Sequence, residues 1–374
     1  MIEDVSPDAD LRSLGGRKLL FSEATQAIYE IDELTAFVWQ SLRAGMSSEA
    51  VVDELVRAGV DEASATPAVA QALAQLQAIP RSTQNPARAQ SEPLNAAIPI
   101  DGLTAVTVEI PHASVVDVHL SEDLVPDVIR TLGYLRTDRS ESDCRIIARS
   151  AGETIEFYPP DKAMWLCKPA DFVATLKADL LEQVLRLATY EVALHTAALI
   201  RNGKALLLAG APGAGKSTLS LALSRAGWEL AADDVVLVLD DGLIIGLPFP
   251  ITAKSSSWPM IDRHWPELAA REGYHRPDGF DVRYILPDRI AAPGPWTIGA
   301  VVILDRQPDG EAQLEDVEPA DMLGTLISEA TSRDQQLTRA GFRALVTALD
   351  NARCAKLTYS GLFDGVRALD GLCA

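Results

Sequence analysis

The stretch Gly210-Ala-Pro-Gly-Ala-Gly-Lys-Ser217 constrains this chain more than any other part of it. Two glycines bracket four residues, and Lys216 and Ser217 follow at once. The run Leu206–Ala209 before them is apolar and strand-like. Residues 216–226 after them have helical spacing. Glycines at these places let successive backbone N–H groups turn inward, and the start of the helix adds its partial positive charge. A loop of this kind cradles phosphate. Gly210, Ala211, Pro212, Gly213, Ala214, Gly215, Lys216, Ser217 and Thr218 are therefore expected to hold a nucleoside triphosphate, ATP or GTP. Lys216 would reach the β- and γ-phosphates, and the Ser217 hydroxyl is placed for Mg²⁺. The strand–loop–helix order predicts an α/β fold.

Composition narrows the partners. The 374 residues carry a formal net charge of −20, which argues against nucleic acid and anionic membrane surfaces, since both demand a basic face. No run of 18 uncharged apolar residues predicts a membrane span. The start, Met1-Ile-Glu-Asp-Val-Ser, has neither a basic nor an apolar signal region. Cys144, Cys167, Cys354 and Cys373 lack metal or disulfide spacing and read as reduced thiols. These features together predict a cytoplasmic protein.

Residues 81–102 carry most of a proline-rich, weakly apolar stretch and read as a linker. They separate a module at 1–80 from a larger one at 103–374. In the first, Arg17–Phe21 and Gln26–Ile31 read as a hairpin. Helices follow at Thr35–Arg43, from Ser47 as N-cap, and from Pro67 to Ile79 with Thr66 as N-cap. This has the size of a winged-helix domain. In the larger module, residues 170–194 read as one long helical stretch. Asn202-Gly203 then joins two apolar runs into a hairpin. Strands are expected at 105–110, 145–148, 154–158, 235–239, 297–304 and 355–359. Helices are expected at 124–132, 320–331, 337–349 and 361–369.

Asp233-Asp234 stands just before the apolar run Val235–Leu239. Neighbours in an extended chain point to opposite sides. One carboxylate can then face an acceptor hydroxyl while the other faces a metal or a lysine. His195, which precedes the strand running into the glycine loop, is placed to tune such a carboxylate. Asp305, at the end of Ala300–Leu304, is the rival metal ligand. Asp240-Asp241 precede Gly242 and read as a turn. His112, His119, His264 and His275 have no ligand spacing.

Fifteen residues separate His195 from Gly210, and twenty-three separate Gly210 from Asp233. With the phrase from Leu221 to Val235, this spacing resembles the catalytic core of HPr kinase/phosphorylase. The resemblance is strongest over 195–240. It implies a phosphoenolpyruvate-carboxykinase-like P-loop fold for 103–374. It also implies that Asp233 is the general base, that His195 sits beside Asp233, and that Asp234 joins Ser217 at the metal. The family's later signature is replaced here by Pro248–Trp258, so phosphorolysis and the HPr substrate are not implied. Lys254 and Arg283 are candidate contacts to phosphate or acceptor. Related kinases form hexamers, which leaves a homo-oligomer open.

The run Leu20–Trp39 resembles PqqD, a small winged-helix-like α+β module. PqqD-like domains take up leader peptides as an added strand. The resemblance implies a peptide partner at the edge of Gln26–Ile31, beside the helix from Pro67. Together the two likenesses imply a kinase that phosphorylates a Ser or Thr of a ribosomally made precursor peptide, using ATP and Mg²⁺. A kinase for a small hydroxylated metabolite and a non-catalytic nucleotide-dependent regulator are the alternatives.

Overall fold

A computed structural model describes residues 9–79, 95, 97–331 and 336–373. Most of the expected linker, 81–94 and 96, lies outside the described residues.

The first module is a three-stranded antiparallel meander, Ala9–Leu14, Arg17–Ser22 and Ala27–Ile31, followed by three helices. The expected hairpin is present. The strand Ala9–Leu14 was not expected, because Asp10 and Arg12 break its apolar pattern. Gly15 and Gly16, at φ 58° and 79°, make the tight turn that joins it to the sheet. The helices are Glu33–Arg43, Ser48–Arg57 and Glu62–Gln77. Ser47 caps the second as expected, accepting from Ala50 N at 3.2 Å. The third starts five residues earlier than Pro67 suggests. Asp61 accepts from Ser64 N at 3.0 Å and caps it, so Pro67 lies inside the helix. Burial of Ala65, Val69, Ala72 and Leu76 along one stripe carries the helix through the proline.

The larger part is mixed α/β with several sheets. A five-stranded sheet comes first: Thr104–Ile110, Ser114–Leu120, Cys144–Ala151, Thr154–Tyr158 and Trp165–Cys167, in sequence order. Its one parallel pair, the second strand with the third, is bridged by the helix Val125–Leu132. The helix Phe172–Leu187 shares its core. The expected long helical stretch is thus shorter, and Val192–Leu194 is a strand paired with Val236–Val238. Ala188, in extended conformation, ends the helix.

The central sheet has six strands in the order Glu229–Ala232, Ala197–Arg201, Lys204–Ala209, Thr297–Arg306, Arg353–Tyr359, Gln313–Asp316. Asn202 and Gly203, at φ 51° and 75°, form the expected hairpin turn. Lys204–Ala209 is parallel to Thr297–Arg306, which is parallel to Arg353–Tyr359. Both faces are covered, which explains the unbroken apolar runs. Leu206 and Leu208 share a core with Leu219 and Leu223 of the helix Lys216–Arg225. Leu207 and Ala209 share a core with Met322 and Leu326 of Pro319–Ser328, and with Phe342 and Leu345 of Arg339–Leu349. A small sheet of Ile251–Lys254, Asp281–Ile285 and Gly273–His275 lies beyond.

The first module is packed onto this body. Leu14, Leu19 and Phe21 are buried in the same core as Phe342, and the Phe21 and Phe342 rings stack at 5.0 Å. Gln26 donates to Leu337 O at 3.0 Å and accepts from Leu337 N at 2.6 Å.

Candidate active site

The strand Lys204–Ala209 delivers the chain to the glycine loop, and the helix Lys216–Arg225 leaves it. Gly210, Gly213 and Gly215 have φ of 142°, 91° and 99°, a range that side chains with a Cβ disfavour. Gly215 opens the helix in left-handed conformation, with no side-chain cap over its first amides. A Cβ there would come within 2.4 Å of Tyr359 Oη. That hydroxyl donates to Ala214 O at 2.9 Å and pins the loop from across the sheet. Lys216 Nζ donates to Gly210 O. Ala211, Pro212 and Gly213 are exposed, and Thr218 is half-buried in the first turn.

Asp233 ends the strand Glu229–Ala232 and is 3% exposed. Its Oδ2 accepts from Ser217 Oγ at 3.0 Å and from Thr252 N at 2.9 Å. Its Oδ1 is buried, with no partner among the described residues. Burial pushes the carboxyl up to about 6. The Thr252 N–H opposes this, Asp234 adds to it, and Lys177 and the Ser217 hydroxyl oppose it.

Asp234 points the other way. Its Oδ1 lies 3.3 Å from His195 Nδ1, and both side chains are more than a third exposed, 39% and 46%. The expected pairing of His195 with Asp233 is therefore replaced by a pairing with Asp234. The alternation of neighbouring side chains separates the two carboxylates, and the strand pairing Val236↔Leu194 brings His195 to the second one.

The remaining sequence candidates are engaged by other side chains. Asp305 Oδ2 is 2.8 Å from Lys356 Nζ, which holds its carboxyl below the usual range. Arg283 is paired with Asp262 at 2.6 Å and lies over the Trp258 ring. Lys254 covers the Phe280 ring. Asp241 accepts from Leu243 N in the expected turn. Tyr359, Thr252 and Lys177 were not found from sequence, because only tertiary contacts bring them to the loop. Two adjoining cavities of about 590 and 290 Å³ lie between the five-stranded sheet and the segment Ile290–Trp296. None of the glycine-loop residues, His195, Asp233 or Asp234 lines either one. Lys216, Ser217 and Asp233 gather instead at the glycine loop, with Asp234 and His195 on the far side of Asp233.

The oxygen set at the loop fits a hard divalent cation. Ser217 Oγ and the unpartnered Asp233 Oδ1 are donors of the kind Mg²⁺ takes, and that ion draws its other ligands from phosphate and water. Among the described residues no three His, Cys, Asp or Glu side chains cluster as a metal site of their own. No described helix is long and apolar enough to cross a membrane. All four cysteines are free and buried.

No family model matches the chain, and no curated protein does. Among solved structures it is similar to the HPr(Ser) kinase/phosphatase from Coxiella burnetii. The identity is 14%, and the match covers 48% of this chain and 95% of that one. The TM-score is 0.22, too low to establish a shared fold or function.

Proposed function

We propose that this protein is an ATP-dependent kinase that transfers the γ-phosphoryl group to a hydroxyl acceptor. The observation that carries this is the pair Asp233-Asp234, split between two tasks. One carboxylate is buried against the glycine-loop serine. The other is exposed beside a histidine.

The loop amides and Lys216 bind the β- and γ-phosphates. Ser217 and Asp233 would hold Mg²⁺, which neutralises charge on the phosphate oxygens when bound. Asp234 takes the proton of the acceptor hydroxyl, and His195 orients its carboxylate. The acceptor oxygen forms the new P–O bond, and the bond from the γ-phosphorus to the β–γ bridging oxygen breaks, leaving ADP. Exposure suits Asp234 to this step better than Asp233, whose Oδ2 is engaged by two donors. This reading exchanges the roles that the family resemblance implies for the two residues.

The acceptor we propose is a Ser or Thr of a ribosomally synthesised precursor peptide, with its leader on the first module. The support is the strand Ala27–Ile31. It pairs with Arg17–Ser22 on one side and with no second strand among the described residues, which leaves an edge for an added strand.

The test is phosphate transfer from ATP with Mg²⁺ to Ser/Thr peptides, read by mass spectrometry. Asp234→Asn should lower transfer by roughly 10²-fold or more while ATP affinity stays within about threefold. ATP binding with no transfer to any peptide or small alcohol would sink the kinase reading. Truncating the module is a poor test of leader binding, since Leu19 and Phe21 belong to the body's core. Prolines at Ile28 and Tyr29 serve instead. Adjacent N–H groups point to opposite edges, so one of the two removes an outward donor. Leader-peptide phosphorylation should fall in that variant and transfer to a small acceptor should not. Equal effects on both would refute the leader role.

A further inference from the structure

Lys177 reaches Thr252 from a helix whose apolar face serves the core. Phe172, Val173, Leu176, Leu180 and Val184 of the helix Phe172–Leu187 are buried against the five-stranded sheet. Lys177 is half-buried at the edge of that face. Its Nζ lies 3.3 Å from Thr252 Oγ1, 5.5 Å from the Phe249 ring centroid and 5.7 Å from that of Tyr284. Lys18, Lys162 and Lys356 pair with carboxylates. Lys177, like the glycine-loop Lys216, makes no ion pair within 4.0 Å among the described residues of a chain with net charge −20. An ammonium carries three donors, and one long hydrogen bond engages one of them. Two aromatic faces hold the cation in place without neutralising it.

The position is specific. Thr252 N and Ser217 Oγ both donate to Asp233 Oδ2, at 2.9 and 3.0 Å. Lys177 is thus linked through Thr252 and Asp233 to the serine of the glycine loop. A half-buried ammonium with donors to spare, joined through Thr252 and Asp233 to the glycine-loop serine, is matched by an oxyanion.

We propose that Lys177 is a second phosphate-contacting lysine, which binds the terminal phosphoryl group of the triphosphate in addition to Lys216. This rests on the nucleotide reading of the glycine loop. It gives the site a contact that ATP makes and ADP lacks, and it adds a fixed positive charge where the transferred group gathers negative charge.

Titration calorimetry of the full chain with Mg²⁺ and ATP, and with Mg²⁺ and ADP, tests it. Lys177→Met should weaken ATP about tenfold and leave ADP within about twofold, the scale of one charge-assisted hydrogen bond. Lys177→Arg should recover most of the loss. Lys177→Gln, which keeps a polar contact to Thr252, repeats the measurement should Met disturb the packing. Lys216→Ala should weaken both nucleotides. Lys177 variants that leave ATP affinity unchanged, or that weaken ATP and ADP alike, overturn the proposal while the glycine-loop reading stands. A wild-type chain that binds neither nucleotide overturns both.

Discussion

On the helix Phe172–Leu187, Asp179 is 3% exposed and neither carboxylate oxygen has a hydrogen-bond partner among the described residues. Burial pushes its carboxyl up to about 7; Glu182 and Asp161 add to the effect, while Lys162 and the nearby Gln183 amide, whose Nε2 donates to Asp161 instead, oppose it. The native state therefore keeps a proton that the unfolded chain releases above about pH 4. The contribution of Asp179 to stability falls as pH rises from about 4 through 7, and its full penalty is present above that. Asp179→Asn should stabilise the protein at pH 8 by on the order of 2 kcal/mol, the gain shrinking toward pH 4. Urea midpoints at pH 5 and pH 8 check this, and an equal gain at both would show that ionised Asp179 is not the source. Gly215 makes a second case. Its φ of 99° and the 2.4 Å approach to Tyr359 Oη leave no room for a Cβ. Gly215→Ala should lose at least about tenfold in nucleotide affinity and about 1–2 kcal/mol of stability, by calorimetry and thermal melting. Gly215, Lys216 and Ser217 were legible in the sequence because their geometry is local. Tyr359, 145 positions from Ala214, was not.

Elements were legible where one periodicity ruled. Lys204–Ala209 and Thr297–Arg306 carry apolar runs because helices cover both faces of their sheet. Val192–Leu194 was hidden, since its three residues become a strand only between Val236–Val238 and Ala330–Thr331. The helix Glu62–Gln77 shows a local signal overruled. Pro67 suits a first helical position, yet the Asp61 cap starts the helix earlier and the proline forgoes a bond to the carbonyl of Ala63. Pro67 is exposed, so Pro67→Ala should change little but the backbone. A gain of about 1–2 kcal/mol is expected, the restored bond outweighing the added freedom of the unfolded chain. A chemical melt with unchanged or lower stability would show that the helix is not continuous through residue 67.

At the scale of the molecule, the two modules of the sequence are not two independent bodies. Phe21 and Phe342 are each no more than 1% exposed and stack with an interplanar angle of 19°. Ion pairs Arg17–Asp321 and Arg339–Glu23 border the contact. Phe342→Ala should cost about 3–5 kcal/mol. Scanning calorimetry should then separate one cooperative transition into two, the module melting first. Two transitions already present in the wild type would mean that the shared core does not couple them. The coupling also bears on function. A peptide held on the edge of Ala27–Ile31 would be held by the same body that carries Asp234.

By itself the sequence determined the glycine loop, the hairpin that feeds it, the flanking strands and helices, and the two neighbouring carboxylates. Each depends on residues within a turn or two of one another, so backbone preference and apolar period suffice. Only the tertiary structure decided which carboxylate faces which partner. His195 is brought to Asp234 by strand pairing across some forty residues, and Ser217 to Asp233 by the packing of helix on sheet. Pairings of that kind follow from how faces bury against each other, and no local pattern records them.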